Sequence, residues 1–206
     1  MLPRLHIVTS DAILAAPDFV ERAAALAGQF GNRIAIQLRS RAIAGRRLYE
    51  IGSQLKQLSD AFVVVNDRVD VARVIHADAV QLPAHGLSVQ NARAQLGETP
   101  IGRSVHSAEE GMQAAADGAD YLLAGSIYET ASHPTAMPQG PALIRALRSC
   151  QLPVLAIGGV DESNVGECMS AGAHGVAVIR AVWQAADAAA AVTTLLQRIE
   201  ESVVSV

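Results

Sequence analysis

The sequence predicts an α/β fold in which eight parallel strands and eight helices close into a (β/α)₈ TIM barrel, with residues 1–206 forming one domain. Eight short apolar runs alternate with stretches of helical periodicity. Half of the residues are hydrophobic but 3% are aromatic, so aliphatic side chains have to build the core. The 206 residues leave about 25 for each βα unit, which suits a barrel with few insertions.

The predicted strands are nearly continuous apolar runs, as expected for parallel strands buried on both faces. They cover 5–10, 34–39, 62–67, 79–83, 101–106, 121–127, 153–159 and 175–180. The predicted helices cover 18–30, 46–58, 68–76, 87–96, 107–117, 140–150, 162–172 and 183–199. An open doubly wound sheet is the alternative, but no G-x-G-x-x-G motif follows the first strand.

Local signals support several helix boundaries. Ser107 and Glu110 have the spacing of a capping box, and Asp161 is placed to cap the helix after the seventh strand. Gly118 and Gly172 stand where helices should end.

Composition excludes several classes of protein. A net charge of −4 without a basic helix argues against nucleic-acid binding. The sequence has neither a signal peptide nor an apolar run of about 20 residues, so we expect no membrane span and a cytoplasmic location. Two cysteines make no disulfide framework, and we expect both thiols to be buried. The oligomeric state stays open, with a homodimer through helical faces as one option.

In such a barrel the active site lies at the carboxyl ends of the strands. Gly158 and Gly159 end the seventh predicted strand, and Val178, Ile179 and Arg180 end the eighth. Loops after these two strands commonly bind phosphate through backbone N–H groups, so we expect a phosphate site here rather than plain tight turns.

Other strand ends carry charged or polar side chains. Arg39 and Arg41 could clamp a second anion or simply be solvated. Asn66 and Asp67 could bring an oxygen ligand to Mg²⁺ or form an Asx turn.

The fifth strand ends in Arg103, Ser104 and His106, of which the histidine is either an acid/base group or a structural imidazole. The long segment 128–140 is a candidate lid. No pair of His or Cys residues has convincing zinc-ligand spacing.

Seven segments resemble, in order, the motifs of the thiamine phosphate synthase family. They are IQLRSR, VVVNDR, ADAVQLP, IGRSVHS, GADYLLAGSIYET, PVLAIGGV and AGAHGVAVIRAV. The resemblance covers nearly the whole chain and implies a (β/α)₈ barrel. It also implies a synthase that joins a pyrimidine pyrophosphate to a thiazole phosphate, releases pyrophosphate and is assisted by Mg²⁺.

The resemblance assigns roles to individual positions. Gln37, Arg39 and Arg41 match the pyrophosphate clamp, where the synthases usually have Lys in place of Arg41. Asn66 and Ser104 match contacts to the pyrimidine.

The remaining assignments concern the metal and the thiazole phosphate. Asp67 matches a magnesium ligand, and Thr130 and Ser132 match a hydroxyl-rich loop that cradles the thiazole phosphate. Gly158 and Gly159, together with 178–180, match the backbone phosphate site.

Departures from the synthase pattern favour the TenI-like branch of this family, which includes thiazole tautomerases. Gly86 stands where the synthases carry the second magnesium-binding Asp, and His133 replaces the lysine of the long loop. Segments 82–87 and 101–107 also resemble the TenI-like branch. Ser126 stands where a tautomerase carries its histidine, so we count Ser126, His106 and His133 as candidate catalytic groups.

The leading hypothesis is therefore a TenI-like tautomerase that moves a proton on a thiazole carboxylate phosphate and needs no cofactor. The first alternative is a Mg²⁺-dependent thiamine phosphate synthase, with Asp67 as the metal ligand. A non-catalytic binder of thiazole or thiamine phosphate, and a sugar-phosphate isomerase or epimerase, are further alternatives. In the thiamine-related hypotheses the partner is a small phosphorylated molecule.

Overall fold

A computed structural model describes residues 1–130 and 137–204, in which eight parallel strands close into a barrel in sequence order. The strands are β1 (Leu5–Val8), β2 (Ile34–Leu38), β3 (Phe62–Asn66), β4 (Ala79–Leu82), β5 (Ile101–Val105), β6 (Tyr121–Ala124), β7 (Val154–Ile157) and β8 (Gly175–Val178). The helices are α1 (Asp11–Leu14), α2 (Phe19–Phe30), α3 (Gly45–Leu58), α4 (Val69–Val74), α5 (Val89–Leu96), α6 (Ala108–Ala116), α7 (Gly140–Leu147), α8 (Val165–Ser170), α9 (Arg180–Trp183) and α10 (Ala188–Val204).

The predicted barrel is confirmed, and each observed strand ends one to three residues before the predicted end. The extra residues are mostly polar or glycine and belong to the loops at the carboxyl rim, where strand pairing has stopped. The one-turn helices α1 and α9 were not predicted, because four residues are too few to show helical periodicity.

The predicted helix signals act mostly as expected. Ser107 accepts a hydrogen bond from the backbone N of Glu110 at 3.2 Å. Glu110 reaches back one residue further than in a standard capping box and accepts from the backbone N of His106 at 2.6 Å. Asp161 caps the turn before α8 by accepting from Ser163 N at 2.9 Å. Gly118 follows the end of α6 with a φ of 87°.

Two properties expected from composition can be compared with the described residues. Cys168 is buried and Cys150 is partly buried, and both are free thiols. In the described part of the chain no helix has the length and apolarity that a bilayer crossing requires.

The core has two layers because each strand is covered on one side by helices and faces the barrel interior on the other. The interior layer contains mostly small or aliphatic residues and one tyrosine: Val8, Ala35, Val64, Ala79, Tyr121, Leu123, Leu155 and Ala177. Alanines on several strands leave space for the Tyr121 ring, which is 1% exposed. A barrel this poor in aromatic residues is therefore filled by a single large ring among small neighbours.

Gly102 on β5 makes room for that ring. A Cβ atom added at Gly102 would overlap the Tyr121 ring and the side-chain oxygen of Gln81. We expect Gly102→Ala to lower the free energy of unfolding by about 1–3 kcal/mol, since overpacking a closed interior forces side chains off their rotamers.

Urea denaturation measures this loss. Gly28→Ala is the matched control, because Gly28 lies in α2 with open space around it, and it should raise stability by about 1 kcal/mol. Equal unfolding midpoints for Gly102→Ala and the parent protein would contradict this account of the interior.

His6 is a second large polar group inside the barrel. It lies on β1 and is fully buried, and burial lowers its pKa to about 4. The unfolded chain, with a histidine pKa near 6.5, takes up a proton on acidification that the folded chain does not take up. The contribution of His6 to stability is therefore complete above pH 6.5 and is lost as the pH falls toward 4.

Stability measured against pH tests this titration. Between pH 7 and pH 4 the stability of the parent protein relative to His6→Asn should fall by up to the order of 3 kcal/mol. The comparison of the two proteins cancels the slope from other groups, including the half-buried His174, whose pKa burial also lowers. A difference that does not change with pH would show that His6 is protonated equally in both states.

Candidate active site

A cavity of about 710 Å³ opens at the carboxyl ends of the strands, a size typical of small-molecule sites. It brings together most of the residues predicted from the sequence: Gln37, Arg39, Arg41, Asn66, Ser104, His106, Ser126, Thr130, Gly158, Gly159, Val178, Ile179 and Arg180. Arg103 and Asp67 do not line it. Ser132 and His133 lie outside the described residues.

Arg39 is held at the end of β2 by a buried threonine. Thr9 accepts a hydrogen bond from the backbone N of Arg39 at 2.8 Å and donates its hydroxyl proton to the Arg39 carbonyl at 3.0 Å. Burial, and secondarily the positive charge of Arg41, lower the pKa of Arg39. The partly buried Arg39 and the exposed Arg41 carry like charges, which favours an anionic ligand that would offset their repulsion.

Asp11 fixes the loop that carries these arginines, and sequence reasoning missed it. Its carboxylate accepts a hydrogen bond from the Ser40 hydroxyl and further bonds from the backbone N of Arg41 and of Ala42, each at 3.1 Å. The hydrogen bond from Ser40 is the main cause of the lowered pKa of Asp11. A polar Ser-Asp pair directly after the first strand was the available signal, since such pairs often organise neighbouring backbone.

The floor of the cavity is polar. Gln37, which is fully buried on β2, donates from Nε2 to Asn66 Oδ1 at 2.6 Å. Gln81, fully buried on β4, donates to the Ser104 hydroxyl at 3.1 Å. Two amides from below therefore orient the two side chains that the family resemblance assigns to the pyrimidine.

The segment after β6 is tied down at both ends. Ile127 and Tyr128 donate backbone hydrogen bonds to the carbonyls of Ile157 and Gly158, at 2.9 and 2.8 Å. The Tyr128 hydroxyl also donates to Glu167 on α8 at 2.9 Å. Gln139 N donates to the carbonyl of Ser126 at 2.9 Å. The residues leading into and out of the segment 131–136 are therefore anchored beside the cavity.

Gly158 and Gly159 have φ values of 101° and 66°, a region that favours glycine. A Cβ at Gly158 would lie 2.8 Å from the Cα of Ser126, and one at Gly159 would lie 2.8 Å from the Cβ of Tyr128. Glycine is therefore required at both positions, because the chain after β6 passes too close to leave room for a side chain. The same lack of side chains leaves the backbone of both residues open at the cavity wall.

Arg180 begins the one-turn helix α9 directly after β8, and it lines the cavity next to Ile179. Strand seven, strand eight and a short additional helix meeting at one cavity wall are typical of barrel phosphate sites. The phosphate site predicted for these residues is compatible with this geometry and stays a prediction.

His106 lies at the cavity rim with its side chain about half exposed. Its Nδ1 is 3.2 Å from Glu110 Oε2, so the carboxylate orients the imidazole. His85, from the loop after β4, also lines the cavity; from the sequence it is a polar residue at a strand end that could equally be structural.

Arg103 faces away from the cavity. It donates hydrogen bonds to the carbonyls of Ala84 and Leu87, both at 2.8 Å, and so clamps the loop after β4. Alternation explains this placement, because successive residues of a strand point to opposite faces and Ser104 points inward. Asp67 lies across from the same loop, since a Cβ built on Gly86 would be 3.6 Å from Asp67 Oδ1.

We expect Arg103→Leu to loosen the loop 83–88, because two carbonyl groups lose their charged donor. Amide hydrogen exchange in that loop should accelerate by about tenfold, equivalent to an interaction of about 1–2 kcal/mol. Arg93→Leu is the matched control, because Arg93 donates to the carbonyls of Gly97 and Thr99 and should leave loop 83–88 unchanged. Unaltered exchange in Arg103→Leu would contradict the clamp.

The chain is similar in sequence to several proteins named thiamine-phosphate synthase. The chain is 40% identical to a thiamine-phosphate synthase of Pyrococcus furiosus over 175 residues, which cover 83% of this chain and 84% of that protein. It is 36% identical to a thiamine-phosphate synthase of Chloroflexus aurantiacus over 197 residues, covering 93% and 90%. A solved structure of thiamine phosphate pyrophosphorylase from Pyrococcus furiosus superimposes with a TM-score of 0.84 at 37% identity, covering 98% of this chain and 97% of that one.

These relatives correct the leading hypothesis: the prediction of a TenI-like tautomerase is wrong. It relied on Gly86 in place of a magnesium-binding Asp, on His133 in place of a lysine, and on the likeness of segments 82–87 and 101–107 to the TenI-like branch. No Phe, Tyr or Trp of the described residues lines the cavity, whereas Gln37, Asn66 and Ser104 bring amide and hydroxyl groups to it.

The profile of the family described as thiamine monophosphate synthase matches residues 5–182, from the first residue of β1 into α9. This match spans all eight strands and every cavity-lining residue of the described chain. Together with the relatives above, it shows that this chain belongs to the thiamine monophosphate synthase family.

Proposed function

We propose that this protein is a thiamine phosphate synthase, which joins a pyrimidine pyrophosphate to a thiazole phosphate and releases pyrophosphate. The observation that carries the proposal is the presence of two sets of anion-binding groups in one cavity. Arg39 and Arg41 come from the end of β2, whereas Arg180 and the glycine pair 158–159 come from β8 and β7. A condensation of two phosphorylated substrates requires two such sets, and a reaction of one phosphorylated ligand requires one.

In this proposal a magnesium ion arrives with the pyrophosphate and is held by Asp67, which directly follows the cavity-lining Asn66 at the end of β3. Within the described residues no three His, Cys, Asp or Glu side chains are grouped to hold a metal by themselves. Mg²⁺ is commonly bound through one or two carboxylates, with phosphate oxygens and water completing its shell. Asp67 would supply the carboxylate, and the ion would help neutralise the leaving pyrophosphate.

In the proposed reaction the carbon–oxygen bond between the pyrimidine substrate and pyrophosphate breaks, and pyrophosphate takes the electron pair. A ring nitrogen of the thiazole forms the new carbon–nitrogen bond with its lone pair. Arg39 and Arg41 would hold the pyrophosphate and stabilise its developing charge. Asn66 and Ser104 would hold the pyrimidine edge, and Gln37 would orient Asn66.

The second substrate needs only to be positioned. Backbone groups of Gly158 and Gly159, with Thr130 and Arg180, would hold the thiazole phosphate against the electrophilic carbon. Because the nucleophile is a ring nitrogen with a free lone pair, this scheme assigns no proton-transfer step to His106 or Ser126. Ser132 and His133 would add to the thiazole phosphate site from the long loop.

The test is a direct assay with both substrates and Mg²⁺. We expect thiamine phosphate and pyrophosphate in equal amounts, and we expect Arg39→Met and Arg41→Met each to lower kcat/KM by about 100-fold, as for other groups that stabilise developing charge. Arg46→Met is the matched control, because Arg46 is exposed on α3 in an ion pair with Glu50 and should keep full activity. Binding of either substrate without formation of a product would contradict the proposal.

A further inference from the structure

A chain of three polar side chains runs from the barrel interior to the cavity. His6 on β1 is fully buried, and its Nδ1 is 3.3 Å from Gln37 Oε1 on β2. Gln37 in turn donates from Nε2 to Asn66 Oδ1 on β3 at 2.6 Å. Gln37 and Asn66 line the cavity, whereas His6 does not.

The series of hydrogen bonds from His6 through Gln37 to Asn66 has a direction, because each amide has one acceptor end and one donor end. Gln37 turns its oxygen to His6 and its nitrogen to Asn66, an arrangement that requires the imidazole proton on Nδ1. The Asn66 oxygen is then used internally, and its nitrogen is the end left for the cavity. If the proton were on Nε2, Gln37 would turn over and Asn66 would present its oxygen instead.

The hydrogen bond to Gln37, and not the Pro3 backbone beside the ring, is the basis for expecting the Nδ1–H form. The ring is neutral at physiological pH, because burial lowers its pKa to about 4. Although the Pro3 carbonyl and the His174 ring lie near it, Nε2 has no hydrogen-bond partner of good geometry among the described residues. The bond to Gln37 is the side-chain hydrogen bond that the structure gives this imidazole, and it requires a donor.

We propose that His6 is a positioning residue for the pyrimidine substrate. Through Gln37 it holds the Asn66 amide with its nitrogen toward the cavity, so that the site selects a heterocycle with a hydrogen-bond acceptor at that edge. The inference rests on the proposed synthase function for the identity of the substrate. It goes beyond that function by assigning a role in substrate selection to a residue in the barrel interior.

Two variants of His6 test the proposal through separate Michaelis constants for the two substrates. His6→Leu removes the donor, and we expect the KM for the pyrimidine pyrophosphate to rise about tenfold, the effect of one misoriented hydrogen bond. The KM for the thiazole phosphate should stay within about twofold. His6→Asn places an amide N–H where Nδ1–H was and should restore the pyrimidine KM to within about threefold of the parent value.

Tyr121→Phe is the matched control for disturbance of the interior. The Tyr121 ring lies 6.1 Å from the His6 ring between centroids, and its hydroxyl donates to the Val80 carbonyl at 3.4 Å, outside the chain of amides. We expect both KM values to be unchanged in this variant. Equal KM shifts for the two substrates in His6→Leu, or no rescue by His6→Asn, would overturn the proposal in favour of a purely structural role.

Nitrogen NMR of the parent protein gives an independent measurement that needs no variant to fold and no turnover. With ¹⁵N-labelled histidine we expect His6 to show the Nδ1–H tautomer at neutral pH, and the Nε2–H tautomer would overturn the proposal. If the parent protein lacks synthase activity, the proposed function fails separately. Calorimetric binding of the pyrimidine pyrophosphate to the parent and to His6→Leu then decides the present proposal, with equal affinities counting against it.

Discussion

The pairing of β1 with β8 is the constraint on which the rest of the structure depends. Leu5 lies opposite Val176 and Ile7 opposite Val178, and Val176 N donates to the Arg4 carbonyl at 2.8 Å. Gly175 permits this approach, because a Cβ there would overlap the Arg4 carbonyl. Without this seam the sheet would have two open edges, and the eight strand ends would not surround one cavity.

Closure also separates the interior into an apolar part and a polar part. Small residues around Tyr121 fill the middle of the barrel, whereas Gln37 and Gln81 lie below the cavity. Buried amides are costly unless they are hydrogen-bonded, and each of these two has a partner that lines the cavity. These bonds therefore fix the orientation of Asn66 and Ser104, which links barrel packing to the polar lining of the cavity.

Loops at the carboxyl rim are held by side chains that do not themselves enter the cavity. Asp11 holds the arginine-bearing loop, Arg103 holds the loop after β4, and Tyr128 fastens the start of the long segment to α8. Preorganised donors of this kind cost little reorganisation when charge develops on a ligand. Under the proposed function, Gly86 in place of a carboxylate would increase the need for fixed positive groups, which the arginine pair at the end of β2 would supply.

The order of strands, the barrel and the position of the cavity were all readable from the sequence. The hydrophobic period and the length of each element are local properties of the sequence. Strands that alternate with helices in a parallel sheet can adopt few topologies. Most candidate site residues were also found, because the carboxyl end of each strand can be located from where its apolar run stops. The choice between synthase and tautomerase was not readable in this way. A few substitutions such as Gly86 show which group is lost and do not show what the remaining groups can still bind.

Only the tertiary structure decided which way individual side chains face and what holds them. Arg103 and Ser104 are neighbours in sequence, yet one clamps a loop and the other lines the cavity, since a shift of one residue in a strand reverses the face. His6 and Asn66 are 60 positions apart, and no local pattern joins them. They are connected by hydrogen bonds because the closed barrel places three neighbouring strands around one interior. Polar groups buried there form hydrogen bonds with one another.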